Sequence, residues 1–179
     1  MSTAYRIPLA MIALQVASAS YAATNTYIGN FTGAAEVPPT GSPATGSTTV
    51  AYSTTSHTLG VDVSFSGLTA GNTAAHIHCC VAPGGIAGVA TQTPTFAGFP
   101  SGVTSGTYTN SFDLTLTSSF NPTFVTNHGG TVAGAEAAFA SGLANGMAYF
   151  NIHTTTFPGG EIRALLVPRD IFIDGFEGQ

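Results

Sequence analysis

Leu59-Gly60-Val61-Asp62-Val63-Ser64-Phe65-Ser66 alternates apolar and polar residues without a break. Side chains along a β-strand point to opposite faces with period two, so Leu59, Val61, Val63 and Phe65 share one buried face. Upstream, residues 47–52 are β-branched and lead through the polar stretch 53–57 into this strand, so the two segments are expected to form a hairpin. Residues 27–32, 74–80, 106–116, 147–153 and 161–167 are further strand candidates, separated by Gly and Pro punctuation such as Pro38-Pro39 and Gly41-Ser42-Pro43. Strands at this density predict an all-β fold: a Greek-key-like antiparallel β-sandwich or barrel. One segment departs from period two. Val132, Ala135, Glu136, Phe139 and Leu143 recur at helical spacing, which predicts one short helix starting after residues 127–130 and stopping at Gly142 or Gly146. A further helical turn is expected at 121–126.

Composition narrows the function. Of 179 residues, 6% are charged, against about 25% in an average soluble domain. Lysine is absent, and the three cations are Arg6, Arg163 and Arg169. A nucleic-acid partner is excluded, because no basic surface exists to displace counterions. Highly charged disorder is excluded by a mean hydropathy of +0.29 and 44% hydrophobic residues. Solubility must come from Thr, Ser, Asn and Gly rather than from charge.

The termini read as separate from the domain. Residues 1–22 have one early Arg, an apolar run at 7–16 and the small-x-small triplet Ser20-Tyr21-Ala22, which is the pattern of a signal peptide cut after Ala22. The run is too short to cross a bilayer, and no transmembrane segment is expected in the mature chain. The expected address is periplasmic or extracellular. Residues 23–167 form the domain, and 168–179 an acidic, aromatic tail. Removing Arg6 leaves two arginines against eight acids, a formal charge of −6.

Chemistry concentrates on the histidines. In His76-Ile77-His78-Cys79-Cys80, period two places His76, His78 and Cys80 on one face. In Tyr149-Phe150-Asn151-Ile152-His153, it groups Tyr149, Asn151 and His153. If the two strands are neighbours, His76, His78 and His153 converge. Three imidazoles suit copper or zinc, with Cys80 or His128 as additional candidate ligands. The two cysteines are adjacent and cannot close a long loop. A vicinal disulfide, free thiols, an intermolecular bridge and metal ligation all remain open. His57 falls in the hairpin turn and needs no function. Glu161 and Arg163, two apart, read first as a solvent-side pair or a strand-end contact, and second as a carboxylate orienting a histidine. A buried Arg163 would need a carboxylate partner. No Gly-x-Ser-x-Gly elbow or legible carboxylate pair marks a catalytic set.

Several stretches carry a resemblance. They are Phe31-Thr32-Gly33-Ala34-Ala35-Glu36-Val37-Pro38-Pro39, Gly67-Leu68-Thr69-Ala70-Gly71, Ala74-Ala75-His76-Ile77-His78 and Gly102-Val103-Thr104-Ser105-Gly106. Tyr149-Phe150-Asn151-Ile152-His153-Thr154 and Phe157-Pro158-Gly159-Gly160-Glu161-Ile162-Arg163 complete them. Together they resemble the CHRD domain, a module named after chordin, which implies a secreted β-sandwich. A fainter likeness links Gly67 to Gly71, His76, His78 and His153 to copper–zinc superoxide dismutase, where a His-x-His pair and a late histidine hold copper. The zinc-loop histidines and spaced disulfide of that family have no counterpart in this chain. The expectation from sequence is an exported, non-catalytic envelope or extracellular module that binds an unidentified ligand or self-associates. The alternative is a copper- or zinc-binding protein, extending to dismutase-like redox activity. No cofactor is fixed by sequence alone.

Overall fold

The structure, a computed structural model, describes residues 24–169. The expected signal peptide, and the tail beyond Arg169, lie outside the described residues. The elements run in chain order β1 (Thr24–Thr32), β2 (Thr45–Ser53), β3 (Thr58–Ser66), β4 (Asn72–Cys79), β5 (Gly106–Asp113), α1 (Pro122–Asn127), α2 (Val132–Ala144), β6 (Ala148–Thr154), β7 (Ile162–Leu165) and β8 (Val167–Pro168).

The deciding stretch is β3, and it pairs with β2 without a register break from Thr45↔Ser66 to Ser53↔Thr58. Val50, Tyr52, Leu59, Val61, Val63 and Phe65 are all buried, while Ser47, Thr49, Asp62 and Ser64 are exposed. The turn closes with His57 in the left-handed region (φ 53°) and the Ser56 N–H donating to Ser53 Oγ at 3.2 Å. Strand β1 lies on the other side of β2, and β5 on the other side of β3, both antiparallel.

All strands join one antiparallel sheet in the order β4-β6-β7-β1-β2-β3-β5, with β8 also paired to β1. The sheet curls so that its two ends meet across the core. Phe150 of β6 lies 5.5 Å, centroid to centroid, from Phe96 in the β4–β5 connection, and Phe96 lies 5.0 Å from Phe112 of β5. Such aromatic pairs bury large apolar areas and fix the curl. The fold is therefore all-β, as the alternation requires, and its two layers are one continuous curled sheet.

Helix α2 follows the expected 3.6 period: Ala135, Glu136, Phe139, Gly142 and Leu143 are its buried residues. Thr131 caps it, its side chain accepting from the Gly134 N–H at 3.1 Å. The helical turn expected at 121–126 is α1, entered through the Asn121 cap and a proline at its first position. Glu136 turns inward to accept from Tyr52 Oη at 3.0 Å and to meet His57 Nδ1 at 2.9 Å, tying α2 to the β2–β3 hairpin. Among the described residues no helix is long and apolar enough to cross a membrane.

Candidate metal centre

Strands β4 and β6 are neighbours, with Ala74↔His153, His76↔Asn151 and His78↔Tyr149 as opposed pairs. Directly opposed residues share a face, so His76, His78, Tyr149, Asn151 and His153 line one side. Arg163 of β7 joins them opposite Asn151. Ala75, Ile77, Phe150, Ile152, Ile162 and Ala164 point the other way into the core and are fully buried. This arrangement explains why β6 is buried along nearly its whole length. One face packs on the core and the other carries a covered polar cluster.

The three histidines converge, with ring nitrogens within 4.8 Å of one another. Each is held by the backbone. The Nδ1 atoms of His76, His78 and His153 contact the carbonyl oxygens of Pro94 (2.8 Å), Ala87 (2.8 Å) and Pro158 (3.0 Å). A carbonyl only accepts, so all three Nδ1 atoms carry the proton and all three Nε2 atoms present a lone pair. His76 Nε2 lies 2.9 Å from His153 Nε2. Two lone pairs face each other there, and only a proton or a metal ion between them makes that contact attractive. His78 Nε2 is buried with no hydrogen-bond partner.

Burial works against the proton. It pushes His76 down to about 4, with the neighbouring His153 adding to the effect. It pushes His78 to about 3, with His76 adding to the effect. His153 is lowered by burial and by the Arg163 charge. The imidazoles are thus neutral near pH 7, the form that ligates metals.

Around them sits a buried charge cluster. The Arg163 guanidinium pairs with Glu36, Nη2 to Oε2 at 3.0 Å and Nε to Oε2 at 3.1 Å, with both side chains under 5% exposed. Its Nη1 donates to the Gly85 carbonyl at 3.0 Å. The guanidinium carbon lies 3.9 Å over the Tyr149 ring, and that ring stacks on His78 with centroids 4.6 Å apart and planes 9° apart. Burial raises the Glu36 carboxyl above its usual range, and the Arg163 charge only partly offsets this. Glu36 Oε1 and Asn151 Oδ1 are buried without partners. Gly160 covers them in a positive-φ conformation (φ 125°). A Cβ there would fall 2.6 Å from the Asn151 amide and 2.7 Å from Glu36 Oε1, so only glycine fits.

The remaining sequence candidates fall elsewhere. Cys80 is bonded to Cys79 as a vicinal disulfide, which removes it as a thiolate ligand. Gly142 of α2 packs on this bridge, where a Cβ would overlap both sulfurs. His128 caps the end of α1, its Nδ1 on the Phe124 carbonyl at 2.8 Å, and does not join the three-histidine group. Glu161 and Arg163 do not pair. Both are buried, and the carboxylate of Glu161 is occupied by Ser42 Oγ (2.7 Å), Thr69 N–H (2.8 Å), Thr69 Oγ1 (3.0 Å) and Thr154 Oγ1 (2.7 Å). Burial alone would raise its pKa, but these donors together hold it below the usual carboxylate range. Glu161 orients no histidine directly. It locks Thr154, the residue after His153, to two connecting loops. The carboxylate partner that a buried Arg163 requires is Glu36, 127 residues upstream. No local pattern in the sequence points to Glu36 as that partner, because the pairing of β1 with β7 brings the two together.

The domain is thus a curled antiparallel sheet that carries a histidine cluster on one limb. The CHRD domain family model matches residues 29–166, and the chain belongs to that family. Comparison with curated proteins and with solved structures gave no match.

Proposed function

We propose that this CHRD-domain protein binds one transition-metal ion, copper or zinc, through Nε2 of His76, His78 and His153. The observation that carries the reading is the gathering of one ring nitrogen from each of the three histidines within 4.8 Å of the others, with every Nδ1 proton already committed to a backbone carbonyl. Protein ligands at about 2.0–2.1 Å from an ion stand roughly 3.3–3.6 Å apart in tetrahedral or trigonal geometry. To seat one, the His76–His153 pair, at 2.9 Å, parts by about half an ångström and the wider separations, up to 4.8 Å, close by as much as about 1.5 Å. Backbone carbonyls on the far nitrogens are the usual way a protein fixes the tautomer and aim of a ligating histidine. Three protein ligands leave a further position open, and His153, the least buried of the three, is the side from which an ion would enter.

We further propose that the protein works after export, in the periplasm or outside the cell, as a metal-holding module. Two observations support this. One is the signal-like pattern of residues 1–22, and the other is the vicinal disulfide, which persists in oxidising compartments.

The test is to purify residues 23–179 without a His tag, load separately with copper and zinc, wash gently and count ions by elemental analysis. About one ion per chain is expected, reduced to background in the folded His76→Ala/His78→Ala variant. Sub-stoichiometric metal, or metal unchanged in that variant, rejects the reading.

A further inference from the structure

The charge around the three histidines constrains which ion they prefer. We infer that the site selects copper in its cuprous state over cupric copper. This deepens the metal-binding reading and rests on it.

The ligand set is neutral. The His76, His78 and His153 group contains no carboxylate or thiolate. Neither nearby acid belongs to the group: Glu36 is paired through Oε2 with Arg163, which cancels its charge, and Glu161 is held by four hydroxyl and amide donors. The thiols are locked in the Cys79–Cys80 bridge. The adjacent cation is fixed as well, with Arg163 stacked on the Tyr149 ring that in turn stacks on His78. An ion seated among the Nε2 atoms therefore enters a buried pocket with no anionic ligand to neutralise it, and buried charge is costly in proportion to what is left uncompensated. A +1 ion carries half the uncompensated charge of a +2 ion. Imidazoles suit copper, and a filled-shell cuprous ion accepts three donors without demanding a fourth. A cupric or zinc ion would have to recruit an anion or water from solvent through the His153 side to complete its shell.

The inference has its own experiment. Dissociation constants for Cu⁺ (anaerobic, by competition with a chromogenic cuprous chelator) and for Cu²⁺ are measured on the same folded protein. Cu⁺ is expected to bind at least 100-fold more tightly. That ratio raises the potential of the bound couple by about 118 mV over aqueous copper, at 59 mV per tenfold for one electron. His153→Asp, which places an anionic ligand at the most exposed of the three positions, is expected to lower the ratio at least tenfold. A wild-type ratio below 100, or a ratio unmoved by His153→Asp while that variant still binds copper, overturns the inference and leaves the metal-binding reading standing. If His153→Asp loses copper altogether, Glu36→Gln serves instead. It leaves the Arg163 charge uncompensated beside the site and is expected to raise the ratio, and a fall or no change overturns the inference. Failure to bind any of Cu⁺, Cu²⁺ or Zn²⁺ removes both readings together.

Discussion

The Arg163–Glu36 pair makes a quantitative prediction. Both side chains are under 5% exposed, and one Glu36 oxygen takes two guanidinium contacts at 3.0 and 3.1 Å. Removing one member of such a pair leaves the other charge buried and alone, which costs about 3–5 kcal/mol, whereas removing both costs far less. Glu36→Gln and Arg163→Met are each expected to lose that amount, while the double variant stays within about 2 kcal/mol of the parent. Arg163→Met also surrenders the hydrogen bond to the Gly85 carbonyl and the stacking on Tyr149, so it should sit at the upper end. The assay is urea unfolding at pH 7, followed by circular dichroism. With a urea slope of about 2 kcal/mol/M, each single variant moves the midpoint down by about 1.5–2.5 M at unchanged slope. In a thermal scan the same loss is a fall of about 6–20 °C for a domain of this size. A double-mutant cycle then gives the coupling directly. Single losses under about 1 kcal/mol, or a double variant that loses the sum of the singles, would refute the view that these two charges sustain each other inside the sheet.

Two further outcomes are expected. Because His76 and His78 titrate near 4 and 3 when folded but near 6.5 when unfolded, the unfolded chain binds more protons across that window, so their contribution is complete above pH 6.5 and declines as pH falls toward 4. Metal-free protein should lose about 2 kcal/mol per histidine between pH 6.5 and 5. The His76→Gln/His78→Gln variant should show a flatter profile by urea midpoint, and equal slopes for the two proteins would sink the assignment. Gly142→Ala should cost about 1–3 kcal/mol through overpacking against the disulfide, and a melting temperature within 1 °C of the parent would show that α2 does not rest tightly on the bridge.

Local pattern carried the sequence reading a long way, for identifiable reasons. Strand β3 was legible because each of its residues faces either the core or solvent, so burial and polarity alternate in step. Helix α2 was legible because its buried positions recur at helical spacing. The three histidines were legible as a group through period two, on the condition that β4 and β6 are adjacent. That adjacency comes from chain topology, and no residue in either strand encodes it locally. The partner of Arg163 was illegible for the same reason: Glu36 reaches it only because β1 and β7 meet at Thr32↔Arg163 and a short 3-10 turn follows. The Glu161 carboxylate gave a misleading signal. Two residues from an arginine and next to a Pro-Gly-Gly turn, it looked like half of a surface pair. The hydroxyls that satisfy it come from Ser42, Thr69 and Thr154, three places whose convergence only the closed sheet creates.

The placement of the two cysteines also shapes how the chain matures. With no other thiol in the sequence, oxidation within one molecule has a single outcome, and neighbours in sequence need no search to find each other. A domain built this way can be oxidised early or late without risk of an internal mispairing that must later be undone. Its bridge constrains almost none of the unfolded chain, so reducing and oxidising conditions should alter global unfolding only through the local fit beneath α2.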